Sequence, residues 1–344
     1  MRRLNPMTIV QLQELMKHKQ VICFGLGNQG RRAALYFHIW GLDDNLVAFA
    51  DNDESKTGKN FICLDRKIPI ISPDEILQQN NKNLLILITS IYYNQIYEEL
   101  NQKFADTDIS VASLDETSDA EIECSTYEGI VQESTDPVIP KIIHYSWFGN
   151  KKPESIARNI ENWKTLCPDY EFIEWNESNY DVTKNKYMYQ AYQKKIWGFV
   201  PDYLRLDVLY QYGGIYLDTD IELLKRPDEL LYQNCFGCVD ASLTMNLGSG
   251  FGCKPGAEII KELCDYYDDC DFLKPDGSVD KTSCSTFSLN VLMKYGVQID
   301  NKLQNVKGMN IYPMIIQGKN QYSGKVKVTD KTFWIHHGNM SWFK

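Results

Sequence analysis

The chain has 344 residues, 43% hydrophobic and 24% charged, which is apolar material for two packed domains and too ordinary a balance for a disordered chain. Asp and Glu outnumber Lys and Arg by 46 to 36, a net charge of −10, and this argues against the basic surface that a nucleic-acid partner needs. No apolar run reaches the roughly 18 residues of a transmembrane segment, and the ten cysteines are scattered, with Cys235 and Cys238 forming a CxxC that has no second pair at zinc-ribbon spacing.

In chain order, the opening residues lack a signal peptide's continuous apolar core, and Ile9, Leu12, Leu15 and Met16 follow helical spacing. The expected location is therefore the cytoplasm, with a peripheral contact at the inner face of the membrane, or with an assembly complex, left open. Residues 21–24 read as a strand, followed by a glycine turn and a helix over 31–40. Strands are expected at 46–50, 68–71, 84–88 and 109–114, with helices opening at Ser72-Pro73 and running over 92–100. This alternation predicts an α/β domain over residues 1–116 built on a parallel sheet covered on both faces. Residues 117–137 are acidic and poor in aliphatics, and read as a linker. An aromatic-rich second domain spans 138–344.

Gly25, Gly27 and Gly30 form a GxGxxG between the first strand and its helix. Glycines at this spacing allow a tight turn and let a pyrophosphate approach a helix N-terminus. Asp51 ends the next strand, where a carboxylate can take ribose hydroxyls. Two readings stand side by side: a nucleotide or nucleotide-sugar site, or glycines that only permit close strand–helix packing. The stretch VICFGLGNQGRR with the later VAFADND resembles the N-terminal Rossmann-like domains attached to bacterial polysaccharide-biosynthesis enzymes; the resemblance does not fix a ligand.

The most informative stretch is PDYLRLDVLYQYGGIYLDTD, residues 201–220. Pro201 and Asp202 suit the first turn of a helix, and Asp202, Arg205 and Leu209 share a face. Gly213-Gly214 stops the helix, and a strand over 215–217 ends in Asp218-Thr219-Asp220. Strand alternation would point Asp218 and Asp220 the same way, with Tyr216 behind them. Like charges held that close repel unless a cation joins them, and a hard divalent metal carrying phosphate oxygens is the natural solution.

With this block in place, residues 138 to 342 resemble glycosyltransferase family 32, the capsular-polysaccharide type with a DxD sugar-binding region. The matching elements are IPKIIHYSWFG at 139–149, DYLRLDVLYQYGGIYLDTDIEL, Ile311-Tyr312-Pro313, and the closing IHHGNMSW at 335–342. The resemblance implies a GT-A fold and a retaining, metal-dependent sugar transfer from a UDP- or GDP-sugar to a glycan or lipid-linked glycan acceptor in capsular or other surface-polysaccharide synthesis. It implies Mn2+ or Mg2+ held by Asp218 and Asp220, with His336 or His337 as a further ligand; strand alternation lets only one imidazole face the DxD. It makes Asp202 a partner of sugar hydroxyls and Arg205 a partner of the leaving phosphate or the sugar. Trp147 would lie against the donor base, Tyr216 would contact the donor, and Ser341 and Trp342 would close over the diphosphate or the donor sugar. Apart from the resemblance, Asn246 and residues 248–250 read as a polar loop that lines the sugar pocket or as an ordinary surface loop. This chain departs from the family at Pro201, at Gly338-Asn339-Met340 and at Thr282-Ser283-Cys284, which often carries Gly-Pro nearby. The alternatives are an NAD(P)-dependent oxidoreductase using the first domain and a non-catalytic sugar-nucleotide-binding protein.

Overall fold

The structure, a computed structural model, describes residues 1–78, 83–149 and 151–338. The chain divides into two compact units, residues 1–124 with 298–300, and residues 125–297 with 301–344.

The first unit runs β1 (Arg2–Arg3), α1 (Ile9–Met16), β2 (Gln20–Phe24), α2 (Asn28–Ile39), β3 (Leu46–Ala50), β4 (Asn60–Cys63), β5 (Arg66–Ile71), β6 (Leu84–Ile88), α3 (Tyr93–Phe104), β7 (Ser110–Ser113) and α4 (Leu114–Cys124). Its sheet has the order β1-β7-β6-β2-β3-β5-β4. The strands β2, β3 and β6 are apolar almost throughout and buried, as central strands with cover on both faces must be. Ile22, Phe24, Ala50, Ile86, Ile88, Leu100 and Phe104 make one core.

The sheet is mixed rather than wholly parallel, because β4 returns antiparallel along β5. That edge strand is short, with Asn60 and Ile62 exposed and Cys63 buried, and its brief apolar run Phe61–Cys63 does not by itself mark a strand in the sequence. The helix expected at Ser72-Pro73 is a 3-10 turn over Pro73–Gln78. The segment expected to be a linker begins as a helix: α4 buries Leu114, Thr117, Ser118 and Ile122, and the unit ends at Cys124. Buried polar residues within α4 hide its apolar face from a reading of composition.

The second unit contains β8 (Ile142–Ser146), α5 (Glu154–Leu166), β9 (Glu171–Trp175), α6 (Lys186–Gln193), α7 (Pro201–Tyr212), β10 (Gly214–Tyr216), β11 (Ile221–Leu223), β12 (Cys235–Cys238), β13 (Phe251–Cys253), α8 (Glu258–Asp268), α9 (Cys284–Leu292), β14 (Gln304–Val306), β15 (Met309–Tyr312) and β16 (Trp334–His336). A mixed sheet has the order β14-β15-β12-β13-β10-β8-β9, and β11 with β16 forms a separate antiparallel ribbon. This mixed α/β architecture is compatible with the expected GT-A-like fold. Trp163, Ile215, Leu217, Phe236, Tyr312, Phe333 and Trp334 belong to its core.

Two local features place the site. Gly214 has φ +97°, and a Cβ there would lie 2.7 Å from the Ile142 carbonyl oxygen, so only glycine lets β10 start beside β8. Cys235 and Cys238 lie within β12, where residues three apart face opposite sides of the sheet, so this CxxC does not form the pincer that its spacing suggests.

Candidate functional site

The helix α7 opens with Pro201, whose missing N–H costs nothing in a first turn. Asp202 and Arg205 follow on one face. They are not a solvated surface pair: each is only 3% exposed. Arg205 Nη2 lies 3.1 Å from Asp202 Oδ1 and 3.5 Å from Asp218 Oδ1. Its Nε donates to the Pro201 carbonyl at 3.1 Å, and the guanidinium sits 5.3 Å from the Tyr216 ring centroid. Nη1 is buried with no hydrogen-bond partner among the described residues. A buried guanidinium nitrogen left this way lacks an acceptor that something else must supply. Burial drives Asp202 up to about 7, with Arg205 only partly opposing. Burial alone would lower Arg205, but Asp218 and Asp202 outweigh it and hold the guanidinium charged.

The two aspartates of the DxD converge by a route other than the expected one. The strand β10 ends at Tyr216, and Asp218 to Ile221 form a turn closed by the Ile221 N–H donating to the Asp218 carbonyl at 3.0 Å. A turn, rather than strand alternation, brings the carboxylates together. The chain then enters β11, where Ile221 stands opposite His336 of β16. His336 Nε2 lies 3.4 Å from Asp220 Oδ1, and its Nδ1 lies 2.9 Å from the buried Ser249 hydroxyl. That second contact fixes the ring so that Nε2 faces the acids. One donor atom from each of Asp218, Asp220 and His336 lies within 4.8 Å of the others. Two carboxylates and an imidazole suit a divalent ion such as Mn2+ or Mg2+, so these residues fit the metal that the DxD implies. Burial raises the Asp218 carboxyl, with Arg205 opposing and Asp220 adding. Burial would lower His336, but Asp220 and Asp218 outweigh it and raise the imidazole above its ordinary value.

His337 does not join this group. Its side chain leaves the opposite side of β16, is 41% exposed, and holds Nε2 2.9 Å from Glu222 Oε2. Strand parity separates the two histidines, and of the pair His336 alone faces the acids.

The residues expected around a donor are placed in different surroundings. Trp147 follows β8, half-buried against the core, and its backbone N–H donates to the Trp175 carbonyl at 3.0 Å. Tyr216 is 1% exposed and shares a 2.8 Å hydrogen bond with Ser146 Oγ, so it supports Arg205 from beneath instead of facing a ligand. The Asn246 amide is committed to the protein: Nδ2 donates to Asp240 Oδ2 at 2.6 Å, while Oδ1 accepts from Gly248 N at 2.8 Å and from Cys284 Sγ at 3.3 Å. It ties this loop together and has little left for a sugar. Ser341 and Trp342 lie outside the described residues. Sequence reasoning marks residues 248–250 only as a polar loop, and misses Asp240, the contact of Ser249 with His336 and that of Cys284. The one cue to Asp240 is an acid directly after an apolar strand.

In the first unit, the glycine loop has Gly25 at φ +102°, and a Cβ on Gly30 would lie 2.1 Å from the Gly25 carbonyl oxygen. Gly30 is therefore required by packing, whereas a Cβ on Gly27 meets nothing within 4 Å. Asp51 is already engaged: it accepts from Leu26 N at 2.8 Å, Asp53 N at 2.9 Å and Lys56 Nζ at 2.9 Å.

Comparison with known proteins agrees with the second unit's geometry. Residues 153–237 match the family described as the glycosyltransferase sugar-binding region containing a DXD motif. The chain is 37% identical over 105 residues to inositol phosphoceramide mannosyltransferase 2 of Schizosaccharomyces pombe, covering 29% of this chain and 30% of that protein. It is 30% identical over 156 residues to a mannosyl phosphorylinositol ceramide synthase of Saccharomyces cerevisiae, covering 43% and 39%. It is 25% identical over 171 residues to the subversion of eukaryotic traffic protein A of Legionella pneumophila, covering 40% and 26%. The matches thus span well under half the length of these relatives.

Proposed function

We propose that this chain is a retaining, metal-dependent glycosyltransferase that moves a sugar from a nucleotide-diphosphate donor to a glycan or lipid-linked acceptor. The observation that carries the proposal is the convergence of Asp218, Asp220 and His336 in front of the buried Arg205–Asp202 pair. Asp218, Asp220 and His336 would hold Mn2+ or Mg2+, and the bound ion supplies positive charge where a departing diphosphate accumulates negative charge. Arg205 presents its unpartnered Nη1 to a donor oxygen, a contact that gains strength as charge develops in a water-poor site. Asp202 holds Arg205 in place and offers its carboxyl to sugar hydroxyls. The relatives are named for mannosyl transfer to inositol phosphoceramide, so mannosyl donors and lipid-linked acceptors come first among those to test.

The first unit reads as a Rossmann-like domain, supported by its parallel β7-β6-β2-β3-β5 core with the glycine loop after β2. Its domain extends to about residue 116 in this reading, and the catalytic domain begins near 138. A place at the cytoplasmic face of a membrane and a role in surface-polysaccharide synthesis complete the proposal; no helix among the described residues is long and apolar enough to cross a membrane. The test is a screen of GDP- and UDP-sugars for hydrolysis with Mn2+, comparing the native chain with Asp220→Asn. Hydrolysis by the native chain that falls about a hundredfold or more in the variant supports the site. Equal hydrolysis in both proteins rejects it.

A further inference from the structure

The wall of the proposed donor pocket opposite Arg205 is a loop, and its shape depends on a residue that touches no substrate. Gly248 lies so close to the site that a Cβ there would stand 2.6 Å from Asp218 Oδ2 and 3.2 Å from Arg205 Nη1. What keeps Gly248 in that place is the Asn246 side chain, whose Oδ1 accepts the Gly248 N–H at 2.8 Å and the Cys284 thiol at 3.3 Å. What keeps Asn246 in that orientation is Asp240.

Asp240 is completely buried and takes four donors. Its Oδ1 accepts from the Ser242 N–H at 2.8 Å and from the Ser242 hydroxyl. Its Oδ2 accepts from Asn246 Nδ2 at 2.6 Å and from Gln321 Nε2. Only a carboxylate has enough acceptor capacity for this arrangement. Gln321 in turn packs against Gly338, where a Cβ would lie 2.5 Å from the Gln321 Cβ, so the same acid reaches the segment just after His336.

We propose that Asp240 is a positioning residue that, through the orientation of the Asn246 amide, sets the Gly248 backbone against Asp218 and Arg205; this rests on the donor-site reading given above. An amide's orientation follows from its partners, and this gives the proposal its test. In Asp240→Asn, keeping Oδ1 on Ser242 puts an NH2 against two donors, Asn246 Nδ2 and Gln321 Nε2. The opposite orientation sets that NH2 against the Ser242 N–H. Gln321 relieves its clash by flipping, because its Oε1 is buried and unpartnered. Asn246 relieves its clash only by turning its NH2 onto Gly248 and Cys284, which releases the wall. Adding Asn246→Asp repairs this: the new carboxylate accepts from the amide introduced by Asp240→Asn and from the Gly248 N–H together. Asn246→Asp alone sets two carboxylates face to face.

The experiment compares the native chain with Asp240→Asn, Asn246→Asp and the double exchange, using the mannosyl or other sugar nucleotide that the native chain hydrolyses. Loss of one buried hydrogen-bond pairing at a positioned site should lower kcat about tenfold in each single variant, with KM within about twofold. The double exchange should recover to within about threefold of the native rate. A native kcat in Asp240→Asn, or a double exchange no faster than the single variants, overturns the proposal. A second readout needs no donor: iodoacetamide labelling of Cys284, followed by peptide mass spectrometry, should be about tenfold faster in Asp240→Asn, where the thiol loses its acceptor, and native-like in the double exchange. If the native chain neither turns over nor binds a sugar nucleotide, the functional reading fails, and the labelling rates still judge the clamp. Equal rates in all four proteins overturn it.

Discussion

The glycine loop after β2 and the acidic turn after β10 both close the carboxyl end of a strand, and they differ in what their polar groups have left to do. In the first, Asp51 is engaged by Leu26, Asp53 and Lys56, and Gly30 is required by the approach of Gly25. In the second, Asp218, Asp220 and His336 converge, and Arg205 keeps a buried nitrogen with no acceptor among the described residues. Both motifs are recognisable in the sequence. Both leave a buried polar atom without a partner among the described residues, Gln29 Oε1 in the first and Arg205 Nη1 in the second, but only the second gathers two carboxylates and an imidazole that a cation would join.

The largest way to break this contrast is Gly248→Ala. Its Cβ would sit against Asp218 Oδ2, and a displacement of that kind near the reacting groups should cut donor turnover about a hundredfold while the protein stays folded by circular dichroism. Turnover within about twofold of native would show that the wall does not matter. Next is the pair of histidines. His336→Ala should weaken Mn2+ binding about thirtyfold in a calorimetric titration, and His337→Ala should leave it within about twofold. A reversed order would exchange their roles.

The first unit supplies the next comparison. Asp115 is buried at the start of α4, and burial pushes its carboxyl up to about 7, with the Gln29 hydrogen bond only partly opposing. The native state therefore holds this proton where the unfolded chain, at an ordinary value of 3.8, has released it. Stability from this group is complete below about pH 4 and declines as the pH rises to about 7. Asp115→Asn should thus stabilise the first unit at pH 8 by about 2 kcal/mol, and give no gain near pH 4, in paired denaturant titrations. A gain that is the same at both values would contradict the assignment. Of similar size, Gly30→Ala should cost about 2 kcal/mol through overpacking. The smallest effect belongs to Gly27→Ala, which meets nothing and should change stability by less than about 0.5 kcal/mol. If that silent variant also abolished binding of a nucleotide to the first unit, the loop would be a ligand site after all.

Which features the sequence reveals depends on how local their causes are. The strands Leu46–Ala50 and Leu84–Ile88 are legible because a continuous apolar run has few other solutions. The strand Asn60–Cys63 is not, because its apolar run Phe61–Cys63 is too short to separate from the turn that precedes β5. The choice between His336 and His337 follows from strand parity, and sequence leaves it open only because the register of β16 is set by β11. The convergence of Asp218 and Asp220 is legible as a motif, although the turn that achieves it is not. The role of Asp240 and the pairing of Ser249 are invisible beforehand, since Gln321 and His336 lie far along the chain and meet them only in the folded second unit.

In the proposed site, Asp218, Asp220 and His336 hold one divalent ion together with a sugar nucleotide's diphosphate. Electron paramagnetic resonance of Mn2+ titrated into the full chain, with GDP or UDP present, tests it most directly. The native chain should show one nucleotide-dependent Mn2+ site, and Asp220→Asn should lose it. Native-like Mn2+ binding in that variant would contradict it.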